Sequence, residues 1–401
     1  MLEYYRENLH LYLLFTLWIV VGALGGPVIL GLLPITMFLM RKKGMYEELL
    51  IGYLFILVLS DSQEALLGFA KNVKSVYLPV LALFLIFDKE NFQPLNKLYK
   101  IFIPFFAISI FTMSFSVGDA FFFTSIQKTF SFFLSFIVIP NYVTKLYLEN
   151  GKAFFRRVIF FSFSVLLCGF LLKYISPDEA FLLGGRFRGL FGGPNGLGMF
   201  CVLFFIIFFV FNDFFPDLFS KNEKRIIFGA VLFSVYLTGS RNTVISLLIF
   251  FLFQRFFSLS PFLGFIIFII TLFIADFINT NATTIILSLG LGEYFRTNTL
   301  DEGSGRYIAW AFAWKQIQHN FFIGKGFAYN EFYMRQHYGF LSKLGHQGGI
   351  HNSFLTFWMD QGLIGLLIYL RSYILVFIKG SQKTKLAFPI MFAITFTAIF
   401  E

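Results

Sequence analysis

Stretches of about 20 apolar residues recur from one end of this chain to the other, and nothing else narrows its fold so sharply. Each is long enough to cross a hydrocarbon layer of ~30 Å as a helix. A lone apolar segment in lipid satisfies its backbone only as a helix, so the spans must be α-helical. Composition agrees: 57% of the 401 residues are hydrophobic, only 13% are charged, and 63 are phenylalanine, more than any soluble core needs. The expectation is one all-α polytopic membrane domain, residues 1–401, with about 12 transmembrane helices. One long polar interruption, 280–351, stays outside the bilayer and holds amphipathic helices.

A formal charge of +10 invites nucleic acid as a partner. Its distribution argues against one, because the basic residues gather in short loops, as the positive-inside rule requires. Arg41-Lys42-Lys43, the group Lys145, Lys152, Arg156 and Arg157, the group Lys221, Lys224 and Arg225, and the group Arg371, Lys379, Lys383 and Lys385 mark the cytoplasmic side. Alternation then carries Arg186, Arg188, Arg241, Arg306 and His351 to the outer face together. The N-terminal apolar run lacks a basic n-region and a cleavage site, so it is expected to remain as a span. The run Leu11–Met40, broken by Gly25-Gly26-Pro27, is too long for one comfortable crossing. It is either a tilted helix or two short ones. Cys168 and Cys201 both lie in apolar spans, which argues against a disulfide framework.

Four of the five histidines fall in or at the end of the long interruption: His319, His337, His346 and His351. Within it, Tyr307, Trp310, Ala311, Trp314 and Ile317 recur at helical spacing. A helix Arg306–Asn320 would reach only ~22 Å, too short to span. It is expected to lie flat on the outer leaflet, with its tryptophans in the headgroup layer and Ser304 near its start as a cap. Arg306 at a helix start is disfavoured by the dipole, which makes an anionic ligand more attractive there. Ser240-Arg241-Asn242 is a very short turn, so Arg241 enters the bundle near its boundary and needs an anionic partner or a lipid phosphate. Arg186 and Arg188 lead into Gly189-Leu190-Phe191-Gly192-Gly193-Pro194-Asn195, where glycines allow close backbone approach and proline suits a first helical turn. These arginines either hold a phosphate or face lipid headgroups. Asn352 or Ser353 can cap the next span and leave His351 at its mouth, where a neutral, proton-accepting imidazole is expected. Asp360, about two turns further on, is a candidate by its depth alone. The histidines lack metal-ligand spacing, and no Walker loop, dinucleotide fingerprint or nucleophile elbow is present, so neither metal nor cofactor is expected.

Taken in order, four stretches resemble the O-antigen ligase and polysaccharide polymerase superfamily of bacteria. They are Arg188-Gly189 through Pro194-Asn195, Ser240-Arg241, Gly305-Arg306 followed by Gly324-Lys325-Gly326, and His351-Asn352-Ser353-Phe354 leading to Asp360-Gln361-Gly362-Leu363-Ile364-Gly365. The resemblance covers about 180–370. It implies a GT-C-like membrane glycosyltransferase of the bacterial inner membrane, acting on the periplasmic face without metal or nucleotide sugar. The donor would be a glycan on undecaprenyl diphosphate. The acceptor would be another lipid-linked repeat unit in a polymerase, lipid A–core in a ligase, or a protein; a chain-length regulator is an expected partner of the first. By motif position His351 would be catalytic, and Arg241, Arg306 and Arg188 would bind the diphosphate. Arg186, Lys325, Asn352 and Asp360 would support them. The family often has Glu where this chain has Gln361 after Asp360, which weakens an acid role there. A flippase or other transporter is the rival class. Against it stand the lack of internal duplication and the gathering of polar residues at one face.

Overall fold

The computed structural model describes residues 2–62, 67–182, 185–260, 262–271, 288, 306–346 and 348–399. Ser304, the expected cap, and most of 272–305 lie outside them. In chain order the helices are α1 (Leu2–Glu7), α2 (Leu9–Gly25), α3 (Ile29–Lys42), α4 (Tyr46–Asp61), α5 (Phe69–Phe87), α6 (Tyr99–Met113), α7 (Phe122–Asn150), α8 (Lys152–Ile175) and α9 (Pro177–Ala180). After the two-residue strands β1 (Phe181–Leu182) and β2 (Arg186–Phe187) come α10 (Pro194–Phe214), α11 (Lys221–Thr238) and α12 (Arg241–Leu259). The last are α13 (Phe262–Thr271), α14 (Arg306–His319), α15 (Tyr329–Gln336), α16 (Tyr338–Lys343), α17 (Ser353–Ser381) and α18 (Ala387–Ile399).

Among the described residues, seven helical runs are long and apolar enough to cross a membrane: Leu9–Lys42, Phe69–Phe87, Tyr99–Ser116, Phe122–Asn150, Lys152–Ile175, Pro194–Phe214 and Ser353–Ser381. The other segments expected as spans hold α4, α13 and α18, which are shorter, α11, which is more charged, and α12, which has 19 residues. The chain is an all-α polytopic membrane protein. The long N-terminal run resolves into two helices joined by one 3-10 turn, Gly26–Val28, where Gly26 takes φ 51°.

The chain forms two compact units, 1–99 with 131–243, and 100–130 with 244–401. In the first, helix ends are tied by charge. Arg41 donates twice to Asp88, both at 2.7 Å, and Tyr46 donates to the same carboxylate. Arg157 pairs with Glu47, and Arg156 with Glu223 inside a Ser220/Glu223 capping box. Lys145 was expected in a loop. It is instead a buried residue of α7, bonded to Glu149 and 4.4 Å from the centroid of the Tyr46 ring, because ionic and aromatic partners let the helix continue past its apolar run. The ends of α3, α4, α5, α7, α8 and α11 thus share one basic pole. At the far end of α4, Asp61 accepts from Gly192 N–H in the loop before α10. Arg186, Arg188 and the α11–α12 turn lie at that opposite pole. The unit is closed in the middle by Gly52. A Cβ there would stand 2.5 Å from Tyr77 Oη and 3.2 Å from Trp18, so glycine lets both rings enter.

In the second unit, α12, α13 and α18 interlock through phenylalanines; Phe268 stacks on Phe392 at 3.8 Å, and Ser246 bonds Thr397 at 2.8 Å. The described part of the long interruption forms α14, α15 and α16. Their core holds Ala309, Ala313, Ile317, Tyr329, Met334, Leu341, Ile350 and Met359. The buried stripe of α14 is therefore Ala309–Ala313–Ile317, not the tryptophan face. Small residues let α14 approach closely, and the tryptophans flank the contact. Trp314 packs on Trp358 of α17, while the Trp310 indole donates to Ile350 C=O at 2.9 Å. α14 packs along the first half of α17.

Candidate functional site

Arg186, Arg188 and Arg241 belong to the first unit, and Arg306, Lys325, His351, Asn352 and Asp360 to the second. In the first, the turn between α11 and α12 is built on Gly239, whose φ of 55° makes the left-handed stop. Buried Ser240 follows, and half-buried Arg241 opens α12. Arg186 reaches this turn: its Nε donates to Thr238 C=O at 2.7 Å, and its Nη2 to Asn195 Oδ1 at 2.9 Å. Arg186 and Arg241 are thus neighbours at one helix turn. Arg188 is placed differently. It is 7% exposed, and it donates to the Glu179 carbonyl at 2.7 Å and the Glu179 carboxylate at 2.8 Å. Those bonds tie the β2 loop to α9. Pro194 occupies the first turn of α10, as its ring geometry favours.

In the second unit the N-cap of α17 is Asn352, whose Oδ1 accepts from Phe354 N–H and Leu355 N–H, each at 3.0 Å. His351 stands just before it with φ 51°, a conformation non-glycine residues seldom hold. Two neighbours that spacing rules did not single out shape its surroundings. Gly348, at φ 132°, leaves room for the imidazole; a Cβ there would lie 2.8 Å from His351 Nε2. His346 is buried, its Nε2 sits 3.0 Å from Gly349 C=O, and its ring centroid is 6.0 Å from that of His351. The cluster of Gly348, Gly349 and His346 just before His351 was the available signal.

Trp310, one turn into α14, bonds Ile350, the residue before His351, and Arg306 opens the same helix. Trp314 meets Trp358, and the chain leaving α14 docks at Asp360. Arg306 and His351 therefore share one end of the α14–α17 pair. Lys325 and Asp360 lie toward the other end, roughly 20 Å away along α14 at 1.5 Å per residue. The structure does not bring Lys325 to Arg306.

What it builds at that far end is a docked break. α17 is interrupted at Gly362, φ 71° and ψ 177°. Gly326 N–H donates to Asp360 C=O at 2.7 Å, and Leu363 N–H to Phe321 C=O at 2.8 Å. Backbone groups freed by the break are thus paired with the loop. The Asp360 carboxylate, 1% exposed, accepts from Asn330 N–H at 2.8 Å, Asn330 Nδ2 at 2.8 Å and Ala328 N–H at 3.2 Å. Next to it, Gln361 accepts from Thr112 at 2.7 Å. Burial pushes the Tyr329 phenol up to about 12, so it stays neutral where it meets Gln316. Among the described residues, no group of three or more His, Cys, Asp or Glu is arranged to hold a metal ion.

Fold and site thus define a polytopic membrane protein that carries a helical cap on one broken span, with an arginine and a histidine at one end of the cap. Residues 226–370 match the family described as O-Antigen ligase, a match that supports membership of the O-antigen ligase and polysaccharide polymerase superfamily. The matched segment contains Arg241, Arg306 and His351. No curated protein matches the chain.

Proposed function

We propose that the protein is a membrane glycosyltransferase that moves a glycan from undecaprenyl diphosphate to an acceptor hydroxyl. His351 takes the hydroxyl proton as the oxygen attacks the anomeric carbon. The bond from that carbon to the diphosphate oxygen breaks, and the diphosphate leaves with the electron pair. Arg241 and Arg306 hold the charge that grows there, a task guanidinium groups suit because they bind such oxygens in pairs. The reading rests above all on one observation: α14 carries Arg306 to the same end of α17 as the strained His351. On this reading Arg188 holds its loop to α9 and touches no donor. The site is assigned to the periplasmic face and the protein to the inner membrane; for the turn that carries Arg241, the basic pole at the opposite end of the first unit supports that orientation.

The acceptor we assign is a second lipid-linked repeat unit, from the Gly192-Gly193-Pro194-Asn195 turn. The description of the matched family favours a second reading, ligation to lipid A–core. Membranes supplied with lipid-linked repeat units and lipid A–core separate the two. A ladder of repeat units is the expected product, and glycan on lipid A–core alone means ligation. Movement of intact lipid-linked glycan with no new glycosidic bond would instead mean transport.

A further inference from the structure

Asp360 is a buried carboxylate to which the reaction assigns no step. Its partners explain its presence. Both oxygens receive N–H groups from the start of α15, so Asp360 caps that helix from across the break in α17. The same residue's carbonyl holds Gly326. The approach is so close that a Cβ on Gly324 would stand 2.2 Å from the Asp360 carbonyl oxygen. Ala328, between these anchors, is held at φ 71°. A loop in that conformation persists only where its surroundings fix it.

What α15 supports is α14. Tyr329 receives the Gln316 amide, and Phe312 stacks on Tyr333 with centroids 5.3 Å apart. Met334 joins Ala309, Ala313 and Ile317 in one core. α14 ends in Arg306. From Gln316 to Arg306 the helix is a lever of roughly 15 Å, so a tilt of a few degrees moves the guanidinium by about 1 Å. A misplacement of that size is enough to cost ~10²-fold in a positioned reaction.

We propose that Asp360 is a positioning residue for Arg306, acting through the cap of α15 and the packing of α15 on α14. The inference rests on the glycosyltransferase reading. Its test is a double-variant cycle on lipid-linked glycan transfer in membranes, with protein abundance measured for each variant. Asp360→Asn keeps the shape but puts an amide donor against an N–H donor. It should lower kcat by about 10- to 100-fold at unchanged abundance. Added to Arg306→Ala it should lower transfer no further, because both changes remove one contribution. Additive losses, or full activity of Asp360→Asn, overturn the proposal. If Asp360→Asn fails to accumulate, Asn330→Ala, which deletes one of the three bonds, carries the same cycle with a smaller expected loss. Full activity of that variant, or a loss additive with Arg306→Ala, overturns the proposal equally. Normal transfer by Arg306→Ala alone would instead refute the role given to Arg306 in the proposed reaction, and near-normal transfer by Arg241→Ala and His351→Ala as well would refute the glycosyltransferase reading.

Discussion

His351 owes its position to residues with no chemistry of their own. Asn352 caps α17 and fixes the chain direction, and Gly348 leaves the space that the imidazole fills. Gly348→Ala should therefore cut glycan transfer by about 10-fold or more while the protein still accumulates, since the Cβ forces the ring to shift. Transfer assays at matched abundance check this. Arg188 should behave in the opposite way. Arg188→Ala removes two bonds to Glu179, so it should cost about 1–3 kcal/mol of stability. A thermal melt in detergent should show a lower midpoint, with residual transfer in step with the folded fraction. Complete loss of transfer at an unchanged midpoint would return Arg188 to the donor site. At the basic pole, hydrogen bonds from Arg41 hold the Asp88 carboxyl below its ordinary range. That contribution is present above the unfolded carboxylate pKa and is lost as pH falls through the lower folded value. Melting midpoints of Asp88→Asn should therefore lie below wild type near neutral pH and converge with it in acid. That Arg241, Arg306 and His351 stand at helix starts was legible in sequence, and α12, α14 and α17 begin there. The roles of Gly348 and His346 were not, because they depend on backbone angles and on a ring 6.0 Å away.

Helices announced themselves where apolar residues ran unbroken, and their ends did not. α7 continues beyond its apolar run because Lys145 finds ionic and aromatic partners. α17 resumes after Gly362 because the docked loop accepts the N–H groups of Leu363 and Ile364 that the break sets free. That break left no mark that hydropathy detects, since Gln361-Gly362 sits inside an apolar stretch. Only the contact with Phe321–Gly326 reveals it. α14 shows how a pattern misleads: two faces fit helical spacing, and the alanine face is the one buried in the core shared with α15, α16 and Met359. Ala313→Leu should overpack this contact, costing about 1–3 kcal/mol, while Trp314→Leu on the partly exposed side should cost less. Melting curves of the two variants rank them. Equal effects would mean that α14 is not seated by its alanines.

For the whole molecule, composition was decisive: no other fold class accommodates so much hydrocarbon. The first unit ties its basic helix ends together at one pole, which the proposed orientation puts on the cytoplasmic side. After replacement of Cys168 and Cys201, single cysteines at Lys89 and at Asp178 should label from opposite sides of the membrane, the second from outside intact cells. The division into two units could not be read from hydropathy, because each is assembled from segments distant in sequence. The proposal that Arg241, Arg306 and His351 serve one reaction is open to a test by transfer of glycan from undecaprenyl diphosphate. In membranes with matched protein abundance, Arg241→Ala, Arg306→Ala and His351→Ala should each fall by about 10²-fold or more. Near-normal product from all three would contradict it.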